Sequence, residues 1–257
     1  MKMKKREPYV TKGTSRKAVM VIQLRILTFN IHHGRGLDRK VDLNRISKVI
    51  RSADPDIVGL NEVDKQYSKR SEFVDQAAWL AEKLDMEHVF GPAITLESQG
   101  NRQYGNAILS RYPIIKSRNH PFDFLPKVVE DRSLLEAEIE IGGKPLSLYV
   151  AHLSFAPFLH RKQTEYILGK AAVANKRSIV MGDWNMRPNS KSWKLAASYM
   201  QDTNKAQERN LTYPAKNSRV KLDYIFVSKE TEVVSAETIL VDPSASDHLP
   251  LLAVVEV

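Results

Sequence analysis

The stretch Ser178-Ile179-Val180-Met181-Gly182-Asp183-Trp184-Asn185 decides how this chain is read. Ser178 to Met181 is an apolar run of strand length, as for a buried strand. It ends in Gly182, Asp183 and Asn185, which are good turn formers and also carry oxygen ligands. Alone, the segment is a strand followed by a structural turn. The same design recurs along the chain. The strand predicted over Leu24–Asn30 ends in Asn30-Ile31-His32-His33, and the one over Ile57–Glu62 ends in Asn61-Glu62-Val63-Asp64. A third, Leu146–Leu153, ends in Ala151-His152-Leu153-Ser154. Asp223 opens the strand Leu222–Val227, and Ser246-Asp247-His248-Leu249-Pro250 precedes the last, Leu251–Val257. Each segment has a bland reading as a turn, a capped loop or a surface histidine. All of them together predict one convergent polar site at an edge of a β-structure.

Working outward, Asp42 reads as the N-cap of a helix over Leu43–Ala53, with Leu43, Ile46, Val49 and Ile50 on one face. Asp54-Pro55 stops it. A second helix is predicted over Phe73–Leu84, others over His160–Ala174 and Lys191–Tyr199. Further strands are predicted over Asn106–Ser110 and Val233–Val241, and Gly142-Gly143 joins Leu134–Ile141 to Leu146–Leu153 as a hairpin. Strands outnumber helices and include both hairpins and helix crossovers. No linker and no internal repeat divides the chain. The expectation is an α+β fold, a single four-layer α/β/β/α sandwich of two mixed sheets over residues 24–257, preceded by a basic extension at residues 1–23.

Composition narrows the chemistry. The 257 residues include no Cys, which excludes disulfides, thiolate nucleophiles and Cys-ligated metal centres. The formal charge of +9 is concentrated: residues 1–25 hold eight Lys and Arg against Glu7 alone, leaving only +2 for the rest. The body therefore lacks the overall basicity of a nucleic-acid grip, and the basic tail reads as a solvated extension. No apolar run approaches the ~20 residues of a membrane-spanning helix, and the N-terminus does not read as a signal peptide, so a cytoplasmic location is expected.

Six blocks, Thr28-Phe29-Asn30-Ile31, Leu60-Asn61-Glu62-Val63, His152, Gly182-Asp183-Trp184-Asn185, Asp223-Tyr224-Ile225-Phe226 and Ser246-Asp247-His248, occur in the order that resembles the endonuclease/exonuclease/phosphatase superfamily, with its deoxyribonuclease I-like fold. The resemblance runs from Leu24 to Val257 and is closest to small bacterial members; some similar domains act in lipid-anchor metabolism. It differs at two places. His32 stands where the repair nucleases carry an acidic residue, and Asn61 replaces the usual Gln before the metal-binding Glu. Relatives cleave DNA, RNA, sphingomyelin, phosphoinositides and other phosphoesters, so the resemblance implies a chemistry rather than a substrate.

What it implies is a Mg²⁺-dependent hydrolase, with Mn²⁺ as a substitute ion, that cleaves a phosphoester by attack of water. A hard cation would offset phosphate charge, needing one or two carboxylates. By resemblance Glu62 is the principal metal ligand, with Asn30 beside it and Asp247 joining. His32 and His33, if extended, point to opposite sides and cannot chelate one ion. His248 is the favoured general base, with the adjacent Asp247 as its orienting carboxylate, and Asp183 is the competing assignment. Asn185 and His152 would donate hydrogen bonds to phosphoryl oxygens. His32, Tyr104, Asn106 and Arg132 would line the cleft or touch substrate, and Asp223 would orient side chains in it. The expected substrate is a small or lipid-derived phosphodiester; a nuclease and an inactive phosphoester-binding protein are the alternatives. No protein partner is implied.

Overall fold

The computed structural model describes residues 9–11, 19–96, 102–124, 130–173, 176–204 and 210–257. The basic extension falls largely outside these; within it, β1 (Tyr9–Thr11) and β2 (Val19–Val21) pair antiparallel. The body is built on β3 (Gln23–Asn30), β4 (Ile57–Lys65), β5 (Glu87–Leu96), β6 (Arg102–Ser110), β7 (Ile114–Pro121), β8 (Ser133–Ile141) and β9 (Lys144–His152). It continues with β10 (Ser178–Asp183), β11 (Gln201–Asp202), β12 (Asp223–Val227), β13 (Glu232–Thr238) and β14 (Leu251–Glu256). Four helices are described: α1 (Leu43–Ala53), α2 (Gln76–Leu84), α3 (Pro157–Ala171) and α4 (Lys191–Tyr199).

Two six-stranded mixed sheets result, ordered β13-β14-β3-β4-β6-β5 and β11-β12-β10-β9-β8-β7. Alternation along the strands assigns each apolar residue to a layer. Ile26 faces the space between the sheets, where it packs with Ile57, Ile108, Val150, Met181 and Ile225. Its neighbour Leu27 faces the other way, into a layer with Ile46, Val49 and Ile50 of α1 and Leu80 of α2. On the opposite side Tyr149, Val180 and Phe226 meet Ile167 and Leu168 of α3 and Ala196 of α4. The central strands are buried on both faces, which is why they read as continuous apolar runs. The four-layer α/β/β/α sandwich predicted from the sequence is the fold observed.

The differences from the sequence reading have local causes. The second helix begins at Gln76, not Phe73, because Asp75 is its N-cap and accepts from the Ala78 amide at 3.1 Å. Phe73 lies before it with φ +55°, half-exposed beneath the Arg102 guanidinium. The third helix starts earlier than predicted, at Pro157, whose fixed φ suits a first helical turn. It ends at Ala171, and Ala174 lies outside the described residues. β5 and β7 escaped the sequence pattern: each occupies a sheet edge, where Pro92 and Pro121 are tolerated and alternation is weak.

Candidate active site

Sheet topology gathers the polar strand ends. β3 and β4 run parallel, joined by α1, and pair Asn30 with Asn61. β9 and β10 run parallel, joined by α3, and pair His152 with Asp183. Both parallel pairs end at the same edge of the sandwich. β12 runs antiparallel to β10, so its first residue, Asp223, lies opposite Asp183. β14 runs antiparallel to β3, so the segment Ser246–His248 before it reaches the same edge, where Ser246 Oγ donates to the Asn30 carbonyl at 2.8 Å.

Two backbone features aim the side chains. The β4–β6 register slips between Leu60 and Val63, a β-bulge, and Glu62 there has φ +57°. Leu60 and Val63 consequently share the α1/α2 layer although three residues apart, and Asn61 and Glu62 both turn towards the second sheet. Gly182 has φ +138°, and a Cβ there would meet the Ala151 carbonyl oxygen at 2.0 Å. Only glycine lets β10 deliver Asp183 beside His152.

Asn61 clamps the two sheets together beneath the site. Its Nδ2 donates to the Ala151 carbonyl at 3.1 Å and to Asn106 Oδ1 at 2.8 Å, while its Oδ1 accepts from the Asp183 amide at 2.9 Å. Asn30 Nδ2 donates to Glu62 Oε1 at 3.0 Å and to Asp183 Oδ2 at 3.2 Å. Its Oδ1 accepts from the His32 amide, so its contribution begins as a brace between two carboxylates. His248 Nδ1 lies 2.8 Å from Asp223 Oδ2 and its Nε2 lies 3.6 Å from Asp183 Oδ2. His152 Nε2 sits 3.5 Å from that same Asp183 oxygen, and its Nδ1 is 4.0 Å from Glu62.

Burial and charge set the protonation states. Burial dominates at Asp183 and, with Asp223 close by, outweighs the His248 charge, so the carboxyl is pushed up to about 7. Burial opposes an imidazolium at His248, but Asp223, Asp183 and Asp247 together prevail and push it up to about 10. His152 is held well below the usual histidine value by burial and then by the charges of Arg132 and His248. The centre at neutral pH is therefore a charged His248, a neutral His152 and, between them, a carboxyl balanced on the edge of ionisation.

The cleft above these groups has a volume of about 550 Å³, the scale of a small-molecule site. His32, Glu62, Tyr104, Arg132, His152, Asp183, Asn185, Asp247 and His248 line it, so most of the predicted residues meet there. The remaining three lie beneath it. Asn30 and Asp223 act through their bonds to cleft residues. Asn106 is a correction: it is 2% exposed and spends its amide on Asn61 and the Ser133 carbonyl, so it supports the floor and does not line the cleft.

Other expectations change in detail. The carboxylate that orients His248 is Asp223; the adjacent Asp247 instead lies 3.8 Å from His32 Nδ1. Asn185 Nδ2 donates to the Leu153 carbonyl at 2.8 Å, and its buried Oδ1 has no hydrogen-bond partner among the described residues. The Asn185 amide nitrogen is thus spent within the protein and is not the donor to substrate that was expected. His32 and His33 do not alternate, because both have φ +45° and form a left-handed turn. Their ring centroids are 4.5 Å apart, and each ring offers a nitrogen within 4.8 Å of a Glu62 oxygen.

Several cleft residues carried no readable signal. Tyr213 lies in a loop and sets its ring 4.8 Å from His248. Arg70 pairs with buried Asp64 and covers Tyr67 and Tyr104. Phe155 is 73% exposed at the rim. Only Asp64, a charged residue at the end of an apolar strand, hinted in sequence that a buried cation partner was needed.

The chemistry of the donors fits a hard cation at Glu62. Oε1 accepts one bond from Asn30, Oε2 has no hydrogen-bond partner among the described residues, and Asp247 adds a second partly exposed carboxylate to the same cleft.

Comparison with known proteins agrees with this architecture. An uncharacterized protein of Escherichia coli (strain K12), YbhP, is 27% identical over 248 residues, covering 89% of this chain and 94% of its own. An endonuclease/exonuclease/phosphatase from Beutenbergia cavernae DSM 12333 superposes with a TM-score of 0.76 at 26% identity, over 91% of this chain and 72% of that one. A mannosyl-6-phosphatase from Bacteroides thetaiotaomicron VPI-5482 shares the fold, with a TM-score of 0.72 at 16% identity over 90% of this chain and 99% of its own. The family's sequence profile matches residues 27–248, a span that opens in β3 and closes on His248; the chain belongs to the Endonuclease/Exonuclease/phosphatase family.

Proposed function

We propose that this protein is a divalent-metal-dependent hydrolase of a small or lipid-derived phosphodiester. The observation that carries the reading is Asp183 Oδ2, buried within 3.6 Å of an imidazole nitrogen from each of His152 and His248 and bonded by Asn30, which itself holds Glu62. A carboxyl kept near neutrality inside a polar cleft is suited to proton transfer at neutral pH.

Glu62, with Asp247 and the second lone pair of Asn30 Oδ1, would hold the cation, Mg²⁺ or Mn²⁺. When bound, it supplies charge that offsets the phosphate and the leaving oxygen. Asp183 then takes the proton of the attacking water. His248, held charged by Asp223, cannot act as the base in this state. It presents Nε2–H to the phosphoryl oxygens as their charge grows. Neutral His152 donates from the other side of Asp183. The structure thereby favours Asp183 over His248 as the base.

The surroundings support a compact substrate with an apolar part. Arg70 and Arg132, the arginines among the described cleft lining, are already paired with Asp64 and Glu130. A nuclease needs cations available for successive phosphates. Instead, Phe155 and Asn185 link the cleft to a neighbouring groove lined by Phe158, Met186 and Leu195. The test is hydrolysis of matched substrates with Mg²⁺ or Mn²⁺: an aryl phosphodiester, a phospholipid, a sugar phosphate, DNA and RNA. Turnover of the aryl or lipid diester is expected. Preferential cleavage of nucleic acid would establish the nuclease, and inactivity on every phosphoester would establish a binding protein.

A further inference from the structure

The turn that follows β3 places two imidazoles against the carboxylate expected to hold the metal. His32 and His33 both adopt φ +45°, which brings their rings to one side instead of opposite sides. One nitrogen of each ring and one oxygen of Glu62 lie within 4.8 Å of one another. The turn is held without using the rings. The His32 amide donates to Asn30 Oδ1, and the His33 carbonyl accepts from Gln76 Nε2 at 2.8 Å. His33 is 7% exposed, yet neither of its ring nitrogens has a hydrogen-bond partner among the described residues. Both imidazoles line the cleft beside Glu62, so their ring nitrogens are open to a ligand entering from it. Asp247, 3.8 Å from His32 Nδ1, adds negative charge at the open side.

We propose that His32, His33 and Glu62 form a seat for a first-row transition dication, taken through two imidazole nitrogens and one carboxylate in preference to Mg²⁺. Mg²⁺ demands oxygen donors and surrenders its waters reluctantly. Imidazole suits Zn²⁺, Co²⁺ and their neighbours, and affinity for such mixed sites rises along the first row. Two histidines and one carboxylate leave coordination positions open towards the cleft, as a working metal site requires. The inference rests on the role assigned to Glu62 in the proposed function, and it changes the ion expected there.

The experiment is binding of metal alone to the apoprotein, by calorimetry with Zn²⁺ and with Mg²⁺, and by the visible absorption of added Co²⁺. His32→Asn, His33→Asn and Glu62→Gln are compared with wild type. Asn tolerates the left-handed backbone that the turn requires. Circular dichroism checks folding. One Zn²⁺ per chain should bind more tightly than Mg²⁺. Each His→Asn change should weaken Zn²⁺ by at least about tenfold, since even removing a group that supports a ligand costs that much. The same changes should diminish the Co²⁺ band and leave Mg²⁺ binding unchanged; Glu62→Gln should weaken both ions. Zn²⁺ affinity unmoved by both histidine changes, or Mg²⁺ binding as tight as Zn²⁺, would overturn the proposal. The reading of Glu62 is judged separately: Mg²⁺ binding unaffected by Glu62→Gln would overturn that, whatever the histidines do.

Discussion

Each sheet contributes one parallel strand–helix–strand unit to the cleft, and the two units equip it differently. β3-α1-β4 brings Asn30, His32, His33 and Glu62. β9-α3-β10 brings His152 and Asp183, with Asn185 just beyond and Asp223 alongside on β12. In the second unit the carboxylates and imidazoles bond or face one another inside the protein, and burial, with Asp223 close by, pushes the Asp183 carboxyl up to about 7. In the first, Glu62 and His32 are partly exposed and their ligand atoms are sparsely bonded. The same topology thus yields a buried half and an open half, to which the proposed function assigns proton transfer and cation binding respectively. The lesson is that what surrounds a carboxylate, more than which strand end carries it, decides whether it moves protons or holds metal.

The sharpest way to break this division is Asp183→Asn. The amide keeps the shape but cannot take a proton, so turnover should fall by about 10²–10⁴-fold. Added metal should not restore it. A loss that metal repairs would place Asp183 on the cation side.

Glu62→Ala is the converse. The loss at saturating metal should be smaller, about 10–100-fold, and should deepen as metal is withdrawn. Activity titrated against Mg²⁺ and Mn²⁺ measures this. An unshifted metal dependence would contradict the cation-binding role.

Asp223→Asn sharpens the proton half through its pH profile. On the proposed mechanism Asp183 acts deprotonated and His248 protonated, so turnover should rise with pH through about 7 and fall through about 10. The two groups titrate as a coupled pair, and the limbs belong to the pair. Removing the Asp223 charge lowers the His248 value, so the alkaline limb should move towards neutrality with about a tenfold loss at its old plateau. An alkaline limb that stays in place would show that Asp223 serves only to hold the strand end.

The smallest effect expected is at the rim. Phe155→Ser should raise KM about tenfold for an aryl or lipid diester, the order expected from losing partial burial of a phenyl ring. It should leave kcat and the turnover of a compact sugar phosphate unchanged. Equal losses on both substrates would mean that Phe155 does not contact the apolar part.

Part of this architecture is legible in the amino-acid sequence alone. The layers were legible in part, because helical spacing and strand-length apolar runs report burial: Ile46, Val49 and Ile50 mark the buried face of α1, and the run from Ile57 marks a strand covered on both sides. The gathering of Asn30, Glu62, His152, Asp183 and His248 was legible as well, since polar residues at the ends of buried strands have little reason to recur unless the ends meet. Their partners were not. Nothing local distinguishes Asp223 from Asp247 as the carboxylate behind His248; the antiparallel register of β12 on β10 makes that choice. The pairing of His32 with His33 on one side was also hidden, because an extended backbone would have parted them and only the left-handed turn unites them. Asn106 looked like a cleft residue until Asn61 claimed its amide from the neighbouring strand. Spacing along the chain therefore determined which residues lie at the working edge. The protonation of Asp183 and the partner of each cleft group were left to contacts between distant strands, because charge and hydrogen bonding depend on distances of a few ångströms that one-dimensional order does not specify.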